Sequence, residues 1–380
     1  MRKRFRMFLG TGFSMARVSI ADVAREASTS PGTVSKVLND GPESDRISED
    51  CRRRVLKACD SLGYVRNHAA RSLRTGRSFA IGGLLSSPRS GSRRERGAED
   101  IQFYAPFQAG MLEAATRHGL QLIALAGNEE ASPAEVAVSQ LRRGRIDGLV
   151  VHSVQWRRAA PVVRELWPEW PVVVAPAPAG LDIPHVGVDA LAGVVEGLEH
   201  LHTLGHRAIA WAGPEEPEAG SYPALRQEKY AEWMADRGLK ATILHADVPE
   251  DAARYPVGSR AMALAEPLAE GISKASPTGV LTYNDEWAMG VYAACARLGL
   301  RVPVDLSVVG FDDVHAAAAM PPLTTLSLGL YRVGERAVER LVRMVEGKPD
   351  DPDAHHVPAR LVVRDSTAPV GRKPRQEADR

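Results

Sequence analysis

Eight short apolar runs, FAIGGLL, LQLIALA, IDGLVV, PVVVA, HVGV, AIAWAG, TGVLTY and SVVGF, follow one another from Phe79 onward with helical patterns between them. Strands separated by whole helices cannot pair through tight hairpins, so this alternation predicts parallel sheets with crossover helices. The stretch is too long for one sheet of ordinary size, and we read it as two α/β lobes facing across a cleft. Ligands of open α/β sheets sit beyond the carboxyl ends of the strands. Two of those ends carry polar residues: TGVLTY runs into Asn284 and Asp285, and SVVGF runs into Asp312 and Asp313. Asn and Asp commonly end strands by bonding their own backbone, but two such ends in matching contexts point to a ligand. Asn284 and Asp312 are assigned to it, Asp285 and Asp313 to structure. Asp189, after HVGV, is a further candidate. Tyr104, Phe107 and Trp287 could stack on a ligand ring or belong to the core.

Charge divides the chain. Lys and Arg number 16 against 8 Asp and Glu up to Ser78, and 32 against 39 beyond it, so the formal net charge of +1 is a cancellation. A basic end on an acidic body suggests that the first part meets a polyanion. There the segment SIADVAREASTSPGTVSKVLND divides into two short helical patterns around Ser28, Thr29 and Ser30. Ser19 caps the first, with Asp22 at its third position and Ile20, Val23, Ala24 and Ala27 on one buried stripe. Ser30 caps the second and Pro31 opens it, where its missing N–H costs nothing, while Val34, Val37 and Leu38 form the inner face. A third helix follows Ser48, with Ile47, Cys51, Val55, Cys59 and Leu62 inward and Arg52, Arg53, Arg54 and Lys57 mostly outward.

Three small helices with a basic surface describe a helix-turn-helix DNA-binding unit, whose second helix lies in the major groove. On that helix Lys36 can donate to guanine N7 and O6, Pro31 can touch a thymine methyl, and Gly32 admits close backbone approach. Ser30, Thr33, Ser35 and Asn39 have the short donors that suit phosphates.

The linker YVRNHAARSLRTGRS from Tyr64 holds a helical pattern from about His68 to Arg74, too short to be stable alone in water. Together with the helix-turn-helix and the two-lobed body, its N-x-A-A-R-S-L hinge resembles the lactose-repressor/galactose-repressor family of bacterial transcription regulators, from about Val18 to Pro369. The resemblance implies an all-α helix-turn-helix DNA-binding domain joined by a hinge helix to a two-lobed α/β, periplasmic-binding-protein-like effector domain. It implies that hinge helices from two subunits pair in the minor groove of a pseudo-palindromic double-stranded DNA operator. There Leu73 wedges between base pairs and Asn67 caps the hinge and touches the backbone. It also implies a small-molecule effector, a sugar or related polyol. Arg226, four residues before Tyr230 at the start of a helix, matches the family's effector-binding arginine. The lobes would be 79–187 with 330–352 and 188–329 with 353–369, crossed three times by the chain. Pro176 stands where many relatives place a polar ligand contact, and SPRSGSRRERGAEDI is longer and more charged than the family's loop, with a composition that favours disorder.

The expected division is a disordered extension 1–16, a DNA-binding domain 17–64, a hinge 65–78, a ligand-binding and dimerisation domain 79–369 and a disordered tail 370–380. The tail VGRKPRQEADR lacks the leucine repeat of tetrameric relatives, so a homodimer is expected. No apolar stretch approaches membrane-spanning length. Gly10, Thr11, Gly12 and Ser14 interrupt the one run that could serve as a signal peptide, and Cys51, Cys59 and Cys295 lack CxxC spacing, which fits a reducing cytoplasm. His200, His202 and His206 do not share a helix face, so no metal is expected. Without a Gly-rich phosphate loop or a nucleophile elbow, neither a cofactor nor enzyme activity is expected. A solute-binding protein of a sugar transport system shares the two-lobed body and is the alternative, but it would need an export signal where residues 18–78 carry the DNA-binding pattern.

Overall fold

The computed structural model describes residues 18–38, 47–65, 72–73, 75–85, 99–127, 131–177, 181–215, 217, 221–247, 257–314, 316–350 and 356–371. The chain forms two compact units, divided after Gly76. In the first, α1 (Ile20–Glu26), α2 (Pro31–Leu38) and α3 (Glu49–Leu62) close around Val23, Val34, Val37, Leu38, Val55 and Cys59. A reciprocal capping box starts α1: Ser19 Oγ accepts from the Asp22 amide at 3.3 Å, and Asp22 Oδ2 accepts from the Ser19 amide at 2.9 Å. The hydrogen bonds from Ser19 hold the Asp22 carboxyl below its ordinary value. Ser30 opens α2 in the same way, accepting from the Thr33 amide at 3.1 Å. Gly63 closes α3 at a φ of 61°, a left-handed turn that glycine makes without strain.

In chain order the second unit begins with β1 (Ala80–Leu84), α4 (Glu99–Arg117), β2 (Gln121–Leu125), α5 (Pro133–Arg142), β3 (Leu149–Val151), α6 (Ser153–Leu166), β4 (Val172–Ala177) and β5 (His185–Val188). There follow α7 (Ala190–Thr203), β6 (Ile209–Gly213), α8 (Tyr222–Asp236), β7 (Ile243–His245), α9 (Val257–Ala275), β8 (Gly279–Thr282), α10 (Asp285–Leu298), β9 (Ser307–Asp312) and β10 (Thr324–Ser327). It ends with α11 (Leu330–Val345), β11 (His356–Val357) and β12 (Arg360–Val362). The strands form two six-stranded sheets, ordered β11-β5-β4-β3-β1-β2 and β12-β10-β9-β8-β6-β7, parallel throughout except for β10 with β12. Strand order reverses between β1 and β3 in one sheet and between β6 and β8 in the other, the points where helices diverge and leave room for a ligand.

Three links join the lobes: β5 to α7, β10 to α11 and β11 to β12. The strands β5 and β10 leave from the carboxyl ends of their sheets. Crossover helices run back along a sheet, so α7 and α11 each begin at the carboxyl end of the sheet they enter. Parallel β11 ends there too, and antiparallel β12 starts there. Every link therefore joins carboxyl end to carboxyl end, and the two sheets present these ends to each other. Over the first sheet α4 and α11 cross in backbone contact. A Cβ on Gly110 would overlap the carbonyl oxygen of Tyr331, and one on Gly334 that of Phe107.

All eight apolar runs form strands. Four more, β7, β10, β11 and β12, are too short or too polar to stand out in sequence; β10 reads TTLS and β11 is only HV. His356 and Val357 pair with Gly187 and Val188 and cover the open edge of β5. The third crossing accordingly falls at Pro358 and Ala359, a correction to the expected boundary near residue 352. The last residues of the SPRSGSRRERGAEDI segment are the first turn of α4. The expected extension 1–16 lies outside the described residues, as do residues 86–98 and 372–380.

Candidate functional site

Arg226 occupies the carboxyl end of the second sheet. It stands one turn into α8, whose start is fixed by Ser221 accepting from the Ala224 amide at 3.4 Å. Its side chain is only 6% exposed, Nη1 donates to the Tyr283 carbonyl just beyond β8 at 2.9 Å, and Nη2 lies 3.7 Å from Asp312 Oδ1. The guanidinium carbon lies 3.7 Å from the centroid of Phe311, with Tyr283 and Tyr222 at 5.5 and 5.9 Å. Ring faces of this kind hold a cation that has lost its water. Burial pushes the Tyr222 hydroxyl up to about 12, with Arg226 opposing the shift.

Asp312 ends β9 at a φ of 99° and Asp313 follows at 60°, two successive non-glycine residues in the left-handed region. Such strain persists only where the surroundings over-determine it, and it gathers at functional sites. Burial pushes the Asp312 carboxyl up to about 6, against the pull of Arg226. At 3.7 Å the two groups are an ion pair but not a hydrogen-bonded one, and Asp312 Oδ1 and Arg226 Nε have no hydrogen-bond partner among the described residues. A buried acceptor beside a buried donor is suited to adjacent hydroxyls, one donating to the carboxylate and one accepting from the guanidinium.

The other strand-end residues have local work. Asn284 caps α10, its Oδ1 accepting from the Trp287 amide at 3.1 Å, and Asp189 caps α7, accepting from the Ala192 amide at 2.8 Å. Each cap uses one side-chain oxygen. Asp285 accepts from Thr325 Oγ1 at 2.6 Å and from the Val314 amide at 2.8 Å, and Asp313 binds Arg364 at 2.8 Å. Trp287 meets Tyr283 edge to face at 5.3 Å, and its buried Nε1 has no hydrogen-bond partner among the described residues.

In the first lobe β3 runs straight into His152, a residue that sequence reasoning missed. Its strand-end position is the same signal that marks Asn284 and Asp312, carried here by an imidazole instead of an amide or a carboxylate. His152 is fully buried, with the rings of Tyr104 and Phe107 edge-on at 4.2 and 5.1 Å. Burial lowers its imidazole to about 3, which keeps it neutral. Phe107 is enclosed in the core beneath α11, and Tyr104, also buried, lies nearer the start of α4. Continuing the strand register places His152 level with Leu85 on one side and Ala175 on the other, with Pro176 next.

On α2 the side chains of Pro31 and Lys36 and the backbone of Gly32 are exposed, and Thr33 and Ser35 are half-buried. The hydroxyls of Ser30 and Thr33 bond each other at 2.9 Å. The nearest atom to a Cβ built on Gly32 would be Ser30 Oγ at 3.7 Å, so this surface is open. Leu73 is helical and 88% exposed, while Asn39 and Asn67 lie outside the described residues.

Residues 19–67 match the family model for bacterial regulatory proteins of the lacI family, and residues 198–367 match a periplasmic binding protein-like domain. The chain is 29% identical over 353 residues to the HTH-type transcriptional regulator RegA of Clostridium saccharobutylicum, spanning 92% of this chain and 99% of the relative. To catabolite control protein A of Priestia megaterium it is 28% identical over 362 residues, again 92% and 99% of the two chains. This chain belongs to the lacI family.

A crystal structure of the Lac repressor dimer bound to operator and the anti-inducer ONPF shares the fold of this lacI-family chain. Its TM-score is 0.69 at 24% identity, over 93% of this chain and 99% of that one. The lacI-family chain is a DNA-binding transcription regulator with a periplasmic-binding-protein-like effector domain, and the family consists of regulators rather than enzymes. Among the described residues no helix is long and apolar enough to cross a membrane.

Proposed function

We propose that this lacI-family regulator is a repressor that binds a pseudo-palindromic operator as a homodimer, and that a sugar-like polyol held between its lobes sets its operator affinity. The buried Arg226–Asp312 pair at the carboxyl ends of β8 and β9, in a chain whose other unit is a helix-turn-helix, carries this reading. Two subunits are needed because one three-helix module buries too little surface for tight specific binding. Residues 17–64 then serve as the DNA-binding domain, 65–78 as the hinge and 79–369 as the ligand-binding body. Lys36 and Pro31 read base edges, and Ser30, Thr33, Ser35 and Asn39 meet phosphates. Asn67 and Leu73 act at the operator centre. Arg226 and Asp312 bracket the polyol, with Asp189 offering its second carboxylate oxygen as an acceptor and Asn284 its amide NH2 as a donor, the groups that their helix caps leave over.

Lys36→Ala should cost about 1 to 3 kcal/mol at one operator position and relax base preference there. Affinities measured over a set of singly mutated operators would show this, and a uniform loss across the set would assign Lys36 to the backbone. Gly32→Ala separates stability from function. With open space around it and a helical position, the alanine should stabilise the first unit by roughly 0.5 to 1 kcal/mol while weakening operator binding, because the added methyl stands between backbone and DNA. Unchanged operator affinity would move the DNA contact off this turn.

The regulatory claim is tested by ligand affinity measured with and without saturating operator. A thermal-shift screen of monosaccharides, glycosides and nucleosides finds the ligand by mass action. Its affinity should then differ by roughly 5- to 150-fold between free and operator-bound protein, since coupling is reciprocal. Equal affinities would strip the body of its sensing role.

A further inference from the structure

At the amino end of the first sheet α5 closes in a tight turn, and the chain from Leu141 reads LRRGR. Gly144 reverses the chain there at a φ of 62°; its amide and that of Arg145 donate to the carbonyls of Leu141 and Gln140 at 2.9 and 3.0 Å. Arg142, Arg143 and Arg145 are all exposed, and none of their side chains has a hydrogen-bond or ion-pair partner among the described residues. Neighbouring cations at the same end are engaged: Arg117 by Glu335 and Glu339, Lys348 by Glu346, and Arg77 by Asp147. Beyond Ser78 the chain carries 39 Asp and Glu against 32 Lys and Arg, so three uncompensated arginines on one turn run against the charge of the body that bears them.

The chain enters the body beside this turn. Asp147, two residues after Arg145, holds the entering segment. Its carboxylate accepts from the Ser78 amide at 2.6 Å, the Ser78 hydroxyl at 2.8 Å and the Phe79 amide at 2.9 Å, and its own amide donates to the Ala80 carbonyl at 2.7 Å. Leu73 precedes Arg77 by four residues, which span at most about 14 Å. With Leu73 in the minor groove, as proposed above, the chain itself keeps the start of the body near the phosphates that line that groove. We propose that Arg142, Arg143 and Arg145 form a second DNA contact, through which the body of the regulator binds operator phosphates whatever the base sequence. Guanidinium groups with no internal partner are free to pair with phosphate oxygens, and such contacts add affinity without reading bases. The inference rests on the operator-binding reading of this chain.

Affinity of the full-length protein for an operator selected from random duplexes, measured between about 50 and 200 mM salt, tests it. Each phosphate contact contributes about 0.9 to the slope of log affinity against log salt, and a homodimer carries two copies of the turn. Replacing all three residues, Arg142→Gln, Arg143→Gln and Arg145→Gln, should therefore flatten the slope by about 1.8 or more, at least one contact per subunit. Operator and unrelated duplex should weaken alike, with base preference over singly mutated operators unchanged. Arg142→Lys, Arg143→Lys and Arg145→Lys together keep the charge and should keep the slope of the parent. Lys240, Lys274 and Arg297 precede strands of the second sheet and so stand at its amino end, the opposite pole of the body; Lys240→Gln, Lys274→Gln and Arg297→Gln together should leave the slope unmoved. An unchanged slope in the first variant, a flattening shared by the lysine variant, or an equal flattening in the far-pole variant would overturn the second contact and leave the operator reading standing. Poly-glutamate bound by the parent and not by the first variant, with an unchanged operator slope, would overturn it in favour of an acidic protein partner. A parent that selects no duplex would overturn both readings.

Discussion

Gly334→Ala is expected to cost the second unit more than about 3 kcal/mol, the range in which overpacking ceases to be absorbed by side-chain rearrangement. The reason is the nature of the obstacle. At the crossing of α4 and α11, a methyl on Gly334 meets the Phe107 carbonyl oxygen and one on Gly110 meets that of Tyr331, both backbone atoms held within helices. Backbone in a helix cannot step aside as a side chain can, so the helices must separate. Separation opens space around Phe107, Met111, Val333 and Ala337, all fully buried, and a close-packed interior loses dispersion contact on every side of such a gap. Gly119→Ala is the control. Its φ is 64° with nothing within 4 Å of the added methyl, so it should lose only about 1 kcal/mol from backbone strain. Denaturant unfolding of the three proteins measures both effects, and a Gly334→Ala curve within 1 kcal/mol of the parent would mean that the helices do not meet at these glycines.

That crossing was invisible in the sequence, and the contrast with the first unit shows why. Ser19 with Asp22 and Ser30 with Pro31 announce helix starts through contacts spanning three residues, so α1 and α2 could be read from local chemistry alone. Gly110 and Gly334 acquire meaning only when two helices more than two hundred residues apart are laid across each other. The missed strands have the same origin: β11 is a strand because β5 offers it an edge, not because HV prefers one.

In the cleft, the strand-end position marks Asp312 without ranking it against its neighbours. Asn284 and Asp189 each stand between a strand and a helix, where an oxygen can serve a ligand or a cap, and both are caps. The cation wall of Tyr222, Tyr283 and Phe311 assembles only because the sheet order sets β8 beside β9 with α8 above them. Arg226 itself came from resemblance, since a lone arginine one turn into a helix carries no signal of its own.

The second large effect joins the two walls of the cleft through pH. His152 is lowered to about 3 by burial, whereas an unfolded imidazole titrates near 6.5. The unfolded chain therefore takes up a proton that the folded one refuses, and the stability this group contributes is complete above about 6.5 and is lost as pH falls toward 3, up to about 5 kcal/mol in all. Asp312 acts in the opposite sense. Its carboxyl is raised to about 6 from an ordinary value near 3.8, so its contribution is complete below about 3.8 and is lost as pH rises through 6. Over pH 4 to 7 the two windows overlap and largely cancel, and the parent protein conceals both. Variants expose them. Between pH 7 and pH 4 the stability gap between parent and His152→Gln should move by about 3 kcal/mol in the variant's favour, while the gap for Asp312→Asn should move by about 2 kcal/mol against its variant. Each comparison cancels the half-buried His200 and the buried His206, whose imidazoles are also lowered by burial and are present in every protein. Urea unfolding at the two pH values measures the gaps. A gap for His152→Gln that stays constant from pH 7 to pH 4 would mean that the imidazole is solvated rather than shut away beside the rings of Tyr104 and Phe107.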